Sequence, residues 1–167
     1  MKSELTSLGS LLLGGVSFYG DPFSTKSGWD TENEIGTTWS RFVEFITANP
    51  DRPYSLNGQY MYEVHIYGSE TTLKGRFEVF VGEEVTTAHL PVMLCSKYIP
   101  ASDYLKITLT GKEIIGDWWQ KLDSEIMPSI GIKKNPAYLI EAYDERFKGM
   151  DKIEESTLDI FIPIEKT

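Results

Sequence analysis

Tyr62-Glu-Val-His-Ile-Tyr67 is the stretch that decides the fold, because Tyr138-Leu-Ile-Glu-Ala-Tyr143 repeats its pattern 76 residues later. A second pair follows in the same order, Phe77-Glu-Val-Phe-Val81 and Leu158-Asp-Ile-Phe-Ile162, at an offset of 81 residues. Matches that keep their order at a nearly constant offset are typical of an internal duplication. We expect all four stretches to be β-strands, in which successive side chains lie on opposite faces.

The segments around these pairs predict the order strand, helix, strand, strand in each half of the chain. The first half is predicted to contain a strand at 5–19 that is broken at Gly14–Gly15, a helix at 38–48, and strands at 59–67 and 76–85. The second half is predicted to contain an extended region at 92–110 interrupted by Pro100, a helix that follows the capping box Thr110–Glu113 and ends at Met127–Pro128, and strands at 137–145 and 158–164.

This order predicts an α+β fold made of duplicated βαββ modules that are related by a pseudo-twofold axis. One domain would span residues 1–167, with pseudo-repeats at about 5–85 and 92–164. A ligand groove would lie between the halves, because small-molecule sites tend to occur at concave joins.

Tryptophans occupy comparable places in the two halves. Trp39 and Trp118 lie on the apolar stripes of the two predicted helices. Trp119 follows Trp118 and is rotated from it by ~100° around the helix, so we expect only one of the two to face the groove. Trp29 lies in the long polar stretch 20–36, where a purely solvated loop has little use for a tryptophan.

Charge and composition exclude several classes of protein. The formal net charge of the 167 residues is -9, so we expect no direct binding to nucleic acid or to an anionic membrane and a modest attraction for cations. The single cysteine, Cys95, cannot form an intramolecular disulfide. Because no apolar run reaches the ~18 residues of a membrane span, we expect a cytoplasmic protein.

Glu141 is the strongest candidate for a functional residue. It shares a strand face with Leu139 and Tyr143, and both faces of that strand are largely apolar. Burial there would raise the pKa of Glu141 unless a cation or a hydrogen-bond donor attends it. Such a carboxylate can select a lipophilic cation or act as a general acid or base. The alternative is a structural Glu141 that reaches solvent at the edge of the sheet. His65, its mate in the repeat, is either a catalytic residue or a structural one whose polar atoms are satisfied within the fold.

No cofactor or metal is predicted from motifs. The glycines lack the spacing of a phosphate-binding loop, and the chain has no G-x-S-x-G. His65 and His89 are far apart in the sequence and form no H-x-x-x-H pattern, which argues against a zinc site.

The stretch Tyr138-Leu-Ile-Glu-Ala-Tyr-Asp-Glu-Arg-Phe147, followed by Leu158-Asp-Ile-Phe-Ile-Pro-Ile164, resembles the C-terminal signature of the GyrI-like small-molecule-binding domain. That domain is also the effector-binding part of AraC-type and multidrug-sensing bacterial regulators. Residues 62–67, 75–82 and 99–104 resemble its other segments, so the resemblance covers about 5–164.

The resemblance implies that Glu141, in the Glu-x-Tyr motif, faces bulky aromatic ligands that are often cationic. It also implies aromatic walls, for which Trp39 is the best-matched position. The predicted ligand-binding set adds four further residues. These are Tyr143, Trp118, Tyr67 and His65. Since the one domain accounts for all 167 residues, we expect no helix-turn-helix and no direct transcriptional regulation.

Three functions remain open. The first is a stand-alone binding domain for hydrophobic, cationic aromatic small molecules. The second is a hydrolase of strained cyclopropane-type electrophiles, as in some stand-alone members of the family, with Glu141 as the catalytic base and Tyr143 or another tyrosine holding the substrate. The third is a regulator that binds a basic protein partner through its acidic surface.

Overall fold

An antiparallel sheet of eight strands organises the part of the chain that the computed structural model describes, residues 1–130 and 137–164. The strands are β1 (Lys2–Leu8), β2 (Leu11–Gly20), β3 (Met61–Ile66), β4 (Phe77–Glu84), β5 (Cys95–Ile99), β6 (Ser102–Thr110), β7 (Tyr138–Tyr143) and β8 (Thr157–Pro163). The helices are α1 (Glu34–Ala48), α2 (Ser69–Lys74), α3 (Trp118–Lys121) and α4 (Met127–Ser129). The predicted α+β class is confirmed, and residues 131–136 and 165–167 of the predicted domain lie outside the described residues.

The two matched stretches of sequence become neighbouring strands at the centre of the sheet. The strand order is β1-β6-β8-β7-β3-β4-β2-β5, and β3 pairs with β7. In this antiparallel ladder Glu63 lies directly opposite Glu141. Side chains that face each other across such a pair are close enough to interact, so the register brings two carboxylates together.

The two faces of β3 and β7 differ in chemistry because successive side chains alternate. One face is apolar and joins a buried cluster with residues of β2, β4, β5 and β6. That cluster contains Leu13, Tyr62, Val64, Phe80, Ile99, Tyr104, Ile140 and Ala142. The other face carries the polar residues Glu63, His65, Glu141 and Tyr143.

Helix α1 packs on the β2–β4 side of the sheet through Phe42, which is fully buried with Val79 and Val81. The helix begins at Glu34, before its predicted start, because Asn33 caps it. The Asn33 side-chain oxygen accepts a hydrogen bond from the Gly36 backbone nitrogen at 3.0 Å, and its side-chain nitrogen donates to the Gly28 carbonyl at 2.8 Å. The cap therefore holds the preceding loop, residues 21–33, against the helix.

Arg52 attaches the end of α1 to β4. Its guanidinium donates to both carboxylate oxygens of Glu83, at 2.7 and 3.1 Å. It also donates to the carbonyls of Ile46 and Asn49, at 3.1 and 2.7 Å. The Ser55 hydroxyl donates to Glu83 at 2.8 Å. Both members of this ion pair are nearly buried, so the charge of each one offsets the loss of water around the other.

The predicted helix of the second half is divided. The capping box Thr110–Glu113 serves only a 3-10 turn at Gly111–Glu113, and α3 begins separately with the Asp117 carboxylate as its N-cap. A π-helical turn at Leu122–Ile126 then leads into α4, which continues past the predicted end at Met127–Pro128. Gly116 disfavours a continuous helix, and Pro128 is tolerated because it lies in the first turn of α4.

Other differences from the predicted elements are local. The strand predicted at 5–19 forms β1 and β2, and Gly14–Gly15 lies inside β2 instead of breaking it. A Cβ atom at Gly15 would lie 2.0 Å from the Val81 carbonyl oxygen, so glycine permits the close approach of β2 and β4. The segment between the strands predicted at 59–67 and 76–85 contains α2, which was not predicted. The break predicted at Pro100 separates β5 from β6 and is confirmed.

A second 3-10 turn, at Met150–Glu155, precedes β8. Among the described residues, none of the helices has both the length and the apolar character needed to cross a bilayer.

Candidate functional site

A cavity of about 1370 Å³ opens on the polar face of β3 and β7. Its walls come from the loop 21–33, α1, α2, α3 and the segment after β7. The large apolar and aromatic residues that line it are Phe23, Trp29, Ile35, Trp39, Val43, Met61, Tyr67, Phe77, Trp118, Trp119, Leu139, Tyr143, Phe147 and Met150. The apolar lining suits a largely apolar ligand, and a volume above the ~300–1,000 Å³ of most small-molecule sites leaves room for a bulky one.

The structure brings all six residues of the predicted ligand-binding set to this one cavity. They are Glu141, Trp39, Tyr143, Trp118, Tyr67 and His65. Trp119 lines the cavity as well, so the expectation that only one of the adjacent tryptophans faces the groove is wrong. Both rings stand at the N-terminal turn of the short helix α3 and meet edge to face, 5.6 Å apart. With Trp29, all four tryptophans of the chain line the cavity.

Glu63 and Glu141 form the floor of the cavity. They face each other across the β3–β7 ladder, and their exposed fractions are 3% and 4%. Glu63 is the residue that sequence reasoning missed. Alternation places it on the same strand face as His65, but only the register of β3 against β7 places it opposite Glu141. The available signal was the position of Glu63 in the stretch that matches the segment of Glu141.

Trp39 projects from α1 onto this floor. Its indole Nε1 donates a hydrogen bond to Glu63 Oε2 at 2.5 Å. The Trp39 ring also meets the Tyr143 ring edge to face, with 4.9 Å between centroids. One face of the helix is thereby fixed to the floor by a charge-assisted hydrogen bond.

Tyr143 lies two residues after Glu141, on the same face of β7. Its hydroxyl donates to Glu141 Oε2 at 2.6 Å and approaches Glu63 Oε2 at 3.5 Å. The Tyr143 ring meets Phe147 edge to face at 4.9 Å. Burial, with the two glutamates nearby, raises the pKa of Tyr143 well above its ordinary value, so this hydroxyl is a neutral donor.

His65 completes the floor on the β3 side. Its Nε2 lies 2.6 Å from Glu63 Oε1, and because a carboxylate can only accept, Nε2 is the donor. The imidazole also packs against Phe77 at 5.2 Å. Burial alone would lower the pKa of His65. The hydrogen bond to Glu63 and the charges of Glu63 and Glu141 outweigh burial, and the pKa is raised.

The carboxyl group of Glu141 is close to its titration point at neutral pH. Burial is the largest cause and the charge of Glu63 the second, and together they raise the pKa of Glu141 to about 7. The positive charge of His65 and the hydrogen bond from Tyr143 limit the rise. Glu141 is therefore a carboxyl group whose charge depends on what enters the cavity.

Apart from His65, the charged side chains that line the cavity among the described residues are all acidic. Five carboxylates lie in its wall, namely Asp30, Glu44, Glu63, Glu141 and Asp144. Among the described lining residues there is neither a lysine nor an arginine. Asp30 and Asp144 have partners just outside the cavity, Lys26 at 2.8 Å and Arg146 at 2.8 Å, whereas the glutamates of the floor face one another and a histidine.

Glu63, His65 and Glu141 are also near enough to meet on a metal ion, since one donor atom of each lies within 4.8 Å of the others. Such binding would replace the hydrogen bond between His65 and Glu63. The expectation of no metal stays a prediction.

The profile of the family described as integron-associated effector binding protein matches residues 5–164. No curated protein sequence matches the chain.

Among solved structures, that of SAV2435 bound to tetraphenylphosphonium is 14% identical with a TM-score of 0.70, covering 99% of this chain and 94% of that one. The integron cassette protein VCH_CASS2 from the mobile metagenome of Vibrio cholerae is 15% identical with a TM-score of 0.65, covering 98% and 95%. The C-terminal domain of EcmrR is 16% identical with a TM-score of 0.65, covering 99% and 98%. At sequence identities of 14–16%, these structural similarities establish the shared fold alone.

Proposed function

The chain belongs to the integron-associated effector binding protein family, within the GyrI-like effector-binding domains, and we propose that it binds hydrophobic aromatic cations above Glu63 and Glu141. The observation that carries this proposal is the floor of the cavity, where two buried carboxylates face each other beneath aromatic walls. Without a nearby lysine or arginine in the described wall, a ligand cation is the natural counter-charge.

The aromatic walls supply the second part of the recognition. Trp39, Tyr67 and Tyr143 surround the carboxylates, and an aromatic face attracts a cation by about 0.5–2 kcal/mol, most strongly where water is excluded. The flat rings also cover the apolar body of the ligand. Shape and charge therefore favour the same class of molecule.

The neighbour SAV2435, whose solved structure holds tetraphenylphosphonium, supports this class of ligand. Tetraphenylphosphonium is a permanent cation with four aromatic rings, and a cavity of about 1370 Å³ has room for it. It is a suitable probe because its charge does not change with pH.

Isothermal titration calorimetry tests the proposal by comparing methyltriphenylphosphonium, a permanent cation, with triphenylphosphine oxide, a neutral compound that has the same three rings on phosphorus. We expect the wild type to bind the cation and to bind the neutral compound at least about tenfold more weakly. Glu141→Gln should remove most of this preference. The matched control is Glu155→Gln, an identical charge change at an exposed site outside the cavity. Equal binding of cation and neutral compound by the wild type would refute the proposal.

One observation favours hydrolysis as a second candidate function. A carboxyl group with a pKa of about 7 suits a general base at neutral pH. Glu141 would take a proton from water, the water oxygen would attack the strained carbon, and the ring bond would break with its electrons and a proton going to the leaving carbon. Loss of a cyclopropane-bearing alkylator at equal rates in wild type and Glu141→Gln would exclude this role.

We also propose that the halves are copies related by a pseudo-twofold axis. Val64 pairs with Phe80, and Ile140 pairs with Phe161. These two pairs are separated by the same offsets, 76 and 81 residues, as the matched sequences. The strand order is mirrored about β3 and β7, which also supports duplication. An experimental structure in which β2-α1-β3-β4 and β6-α3-β7-β8 do not superpose would contradict it.

A further inference from the structure

The two glutamates of the floor offer four carboxylate oxygens, of which three already accept hydrogen bonds from the protein. Glu63 Oε1 is bound by His65, and Glu63 Oε2 by Trp39. Glu141 Oε2 is bound by Tyr143. Glu141 Oε1 has no hydrogen-bond partner among the described residues.

This fourth oxygen is open to the cavity. The described residues contain no sealed side-chain oxygen or nitrogen that lacks a partner, so Glu141 Oε1 must have some access. Only 4% of Glu141 is exposed, and the residue lines the cavity. The small accessible part of Glu141 therefore points to the space that a ligand would occupy.

Among the described residues, no protein donor makes a hydrogen bond to Glu141 Oε1, and the Tyr67 hydroxyl, which also lines the cavity, lies near Glu141 without bonding to it. The indole of Trp39 and the hydroxyl of Tyr143 have one hydrogen each, and both are already directed at the other carboxylate oxygens. His65 Nε2 is directed at Glu63. A ligand that expels water from this oxygen must supply a donor of its own or leave a buried carboxylate oxygen unpaired.

We propose that the cavity prefers cations that carry an N–H bond, such as protonated amines, amidinium and guanidinium ions, over fully substituted ammonium and phosphonium ions. The ligand N–H donates to Glu141 Oε1 while its apolar body lies against the aromatic walls. This inference rests on the proposed cation-binding function and narrows its ligand class. A fully substituted cation still receives the charge attraction and the aromatic contacts, but it makes no hydrogen bond to the floor.

The test compares two ligands that differ by one methyl group. The first is protonated N,N-dimethyl-2-(2-naphthyl)ethylamine, and the second is its N,N,N-trimethyl quaternary salt. Calorimetry at about pH 8 keeps Glu141 ionised, since its pKa is about 7. We expect the tertiary ammonium to bind at least about tenfold more tightly, the usual effect of one hydrogen bond to a charged group. The extra methyl group adds apolar area, so hydrophobic burial alone would favour the quaternary salt.

Glu141→Gln provides the matched variant. The Tyr143 hydroxyl will hold the amide oxygen of the new side chain, which places the amide NH₂ where Oε1 stood. The amide NH₂ then faces the N–H of the tertiary ammonium, and two donors cannot bond to each other. The affinity ratio of the tertiary to the quaternary ligand should therefore fall from about ten to about one or below. Glu155→Gln should keep the wild-type ratio.

The outcomes separate this inference from the function on which it rests. Equal or tighter binding of the quaternary salt by the wild type overturns the N–H preference while leaving cation binding intact. If neither naphthyl cation nor tetraphenylphosphonium binds, the proposed function fails and this inference fails with it. A tenfold preference that persists in Glu141→Gln would overturn the assignment to Glu141 Oε1. Because the wild-type comparison decides by itself, the inference stays testable even if the variant does not fold.

Discussion

The affinity for a permanent cation should fall as the pH falls below neutrality, because Glu141 must be ionised to serve as a counter-charge. Its pKa in the free protein is about 7. Below that value, each pH unit should cost about tenfold in affinity, or about 1.4 kcal/mol. Tetraphenylphosphonium should therefore bind about tenfold more weakly at pH 6 than at pH 8, and about 100-fold more weakly at pH 5.

The histidine of the floor acts in the same direction as Glu141, and the tyrosines beside it do not titrate in this range. His65, whose pKa is raised, gains a positive charge as the pH falls and repels the ligand. The pKa values of Tyr67 and Tyr143 are raised, so both hydroxyls stay neutral. The hydrogen bonds that Trp39 and His65 donate to Glu63 hold its carboxylate in place beside Glu141.

Calorimetry across this range, in buffers of different ionisation enthalpy, measures both the affinity and the proton released on binding. We expect close to one proton released per cation near pH 6 and few above about pH 8. Glu141→Gln should bind weakly, with little proton release. An affinity that stays constant between pH 6 and pH 8 in the wild type would refute the assignment of the counter-charge to Glu141.

Three further predictions concern stability and the walls of the cavity. The pKa of the Glu141 carboxyl group is raised from 4.5 to about 7 in the folded protein, so this group lowers the free energy of unfolding as the pH rises through that window. Glu141→Gln should therefore be more stable than the wild type at pH 8, by up to about 3 kcal/mol, but not at pH 4. Urea unfolding at both pH values measures this difference. Trp39→Phe removes the indole N–H and should weaken tetraphenylphosphonium binding about tenfold in calorimetry, and unchanged affinity would exclude Trp39 from the site. Arg52→Ala leaves Glu83 buried without its partner and should cost about 3–5 kcal/mol in urea unfolding; a loss below about 1 kcal/mol would mean that Glu83 is solvated in another way.

The strands and one wall of the cavity are predictable because they depend on local pattern. Alternation in residues 62–67 and 138–143 defines β3 and β7 and places Glu141 and Tyr143 on one face. The helical stripe that contains Trp39 defines most of α1. These features need only the periods of strand and helix.

The pairing of Glu63 with Glu141 on the floor of the cavity could not be predicted from local pattern. That Glu63 faces Glu141 depends on the register between β3 and β7, which alternation alone does not determine. The placement of Trp118 and Trp119 together depends on the interruption at Gly116 and the fresh start of α3 at Asp117, where a continuous helix was expected. The contributions of Phe23 and Trp29 depend on how the Asn33 cap holds the loop 21–33.

The gathering of all four tryptophans around one cavity gives the molecule an optical property. Every indole chromophore of the chain stands in the wall of the site, so the intrinsic emission excited at the indole band comes entirely from that wall. A ligand that enters the cavity displaces water from these rings and quenches or shifts their emission together. Occupancy of the cavity can therefore be followed by intrinsic tryptophan fluorescence, in real time and without a label. A fluorescence change in this chain reports an event at the site.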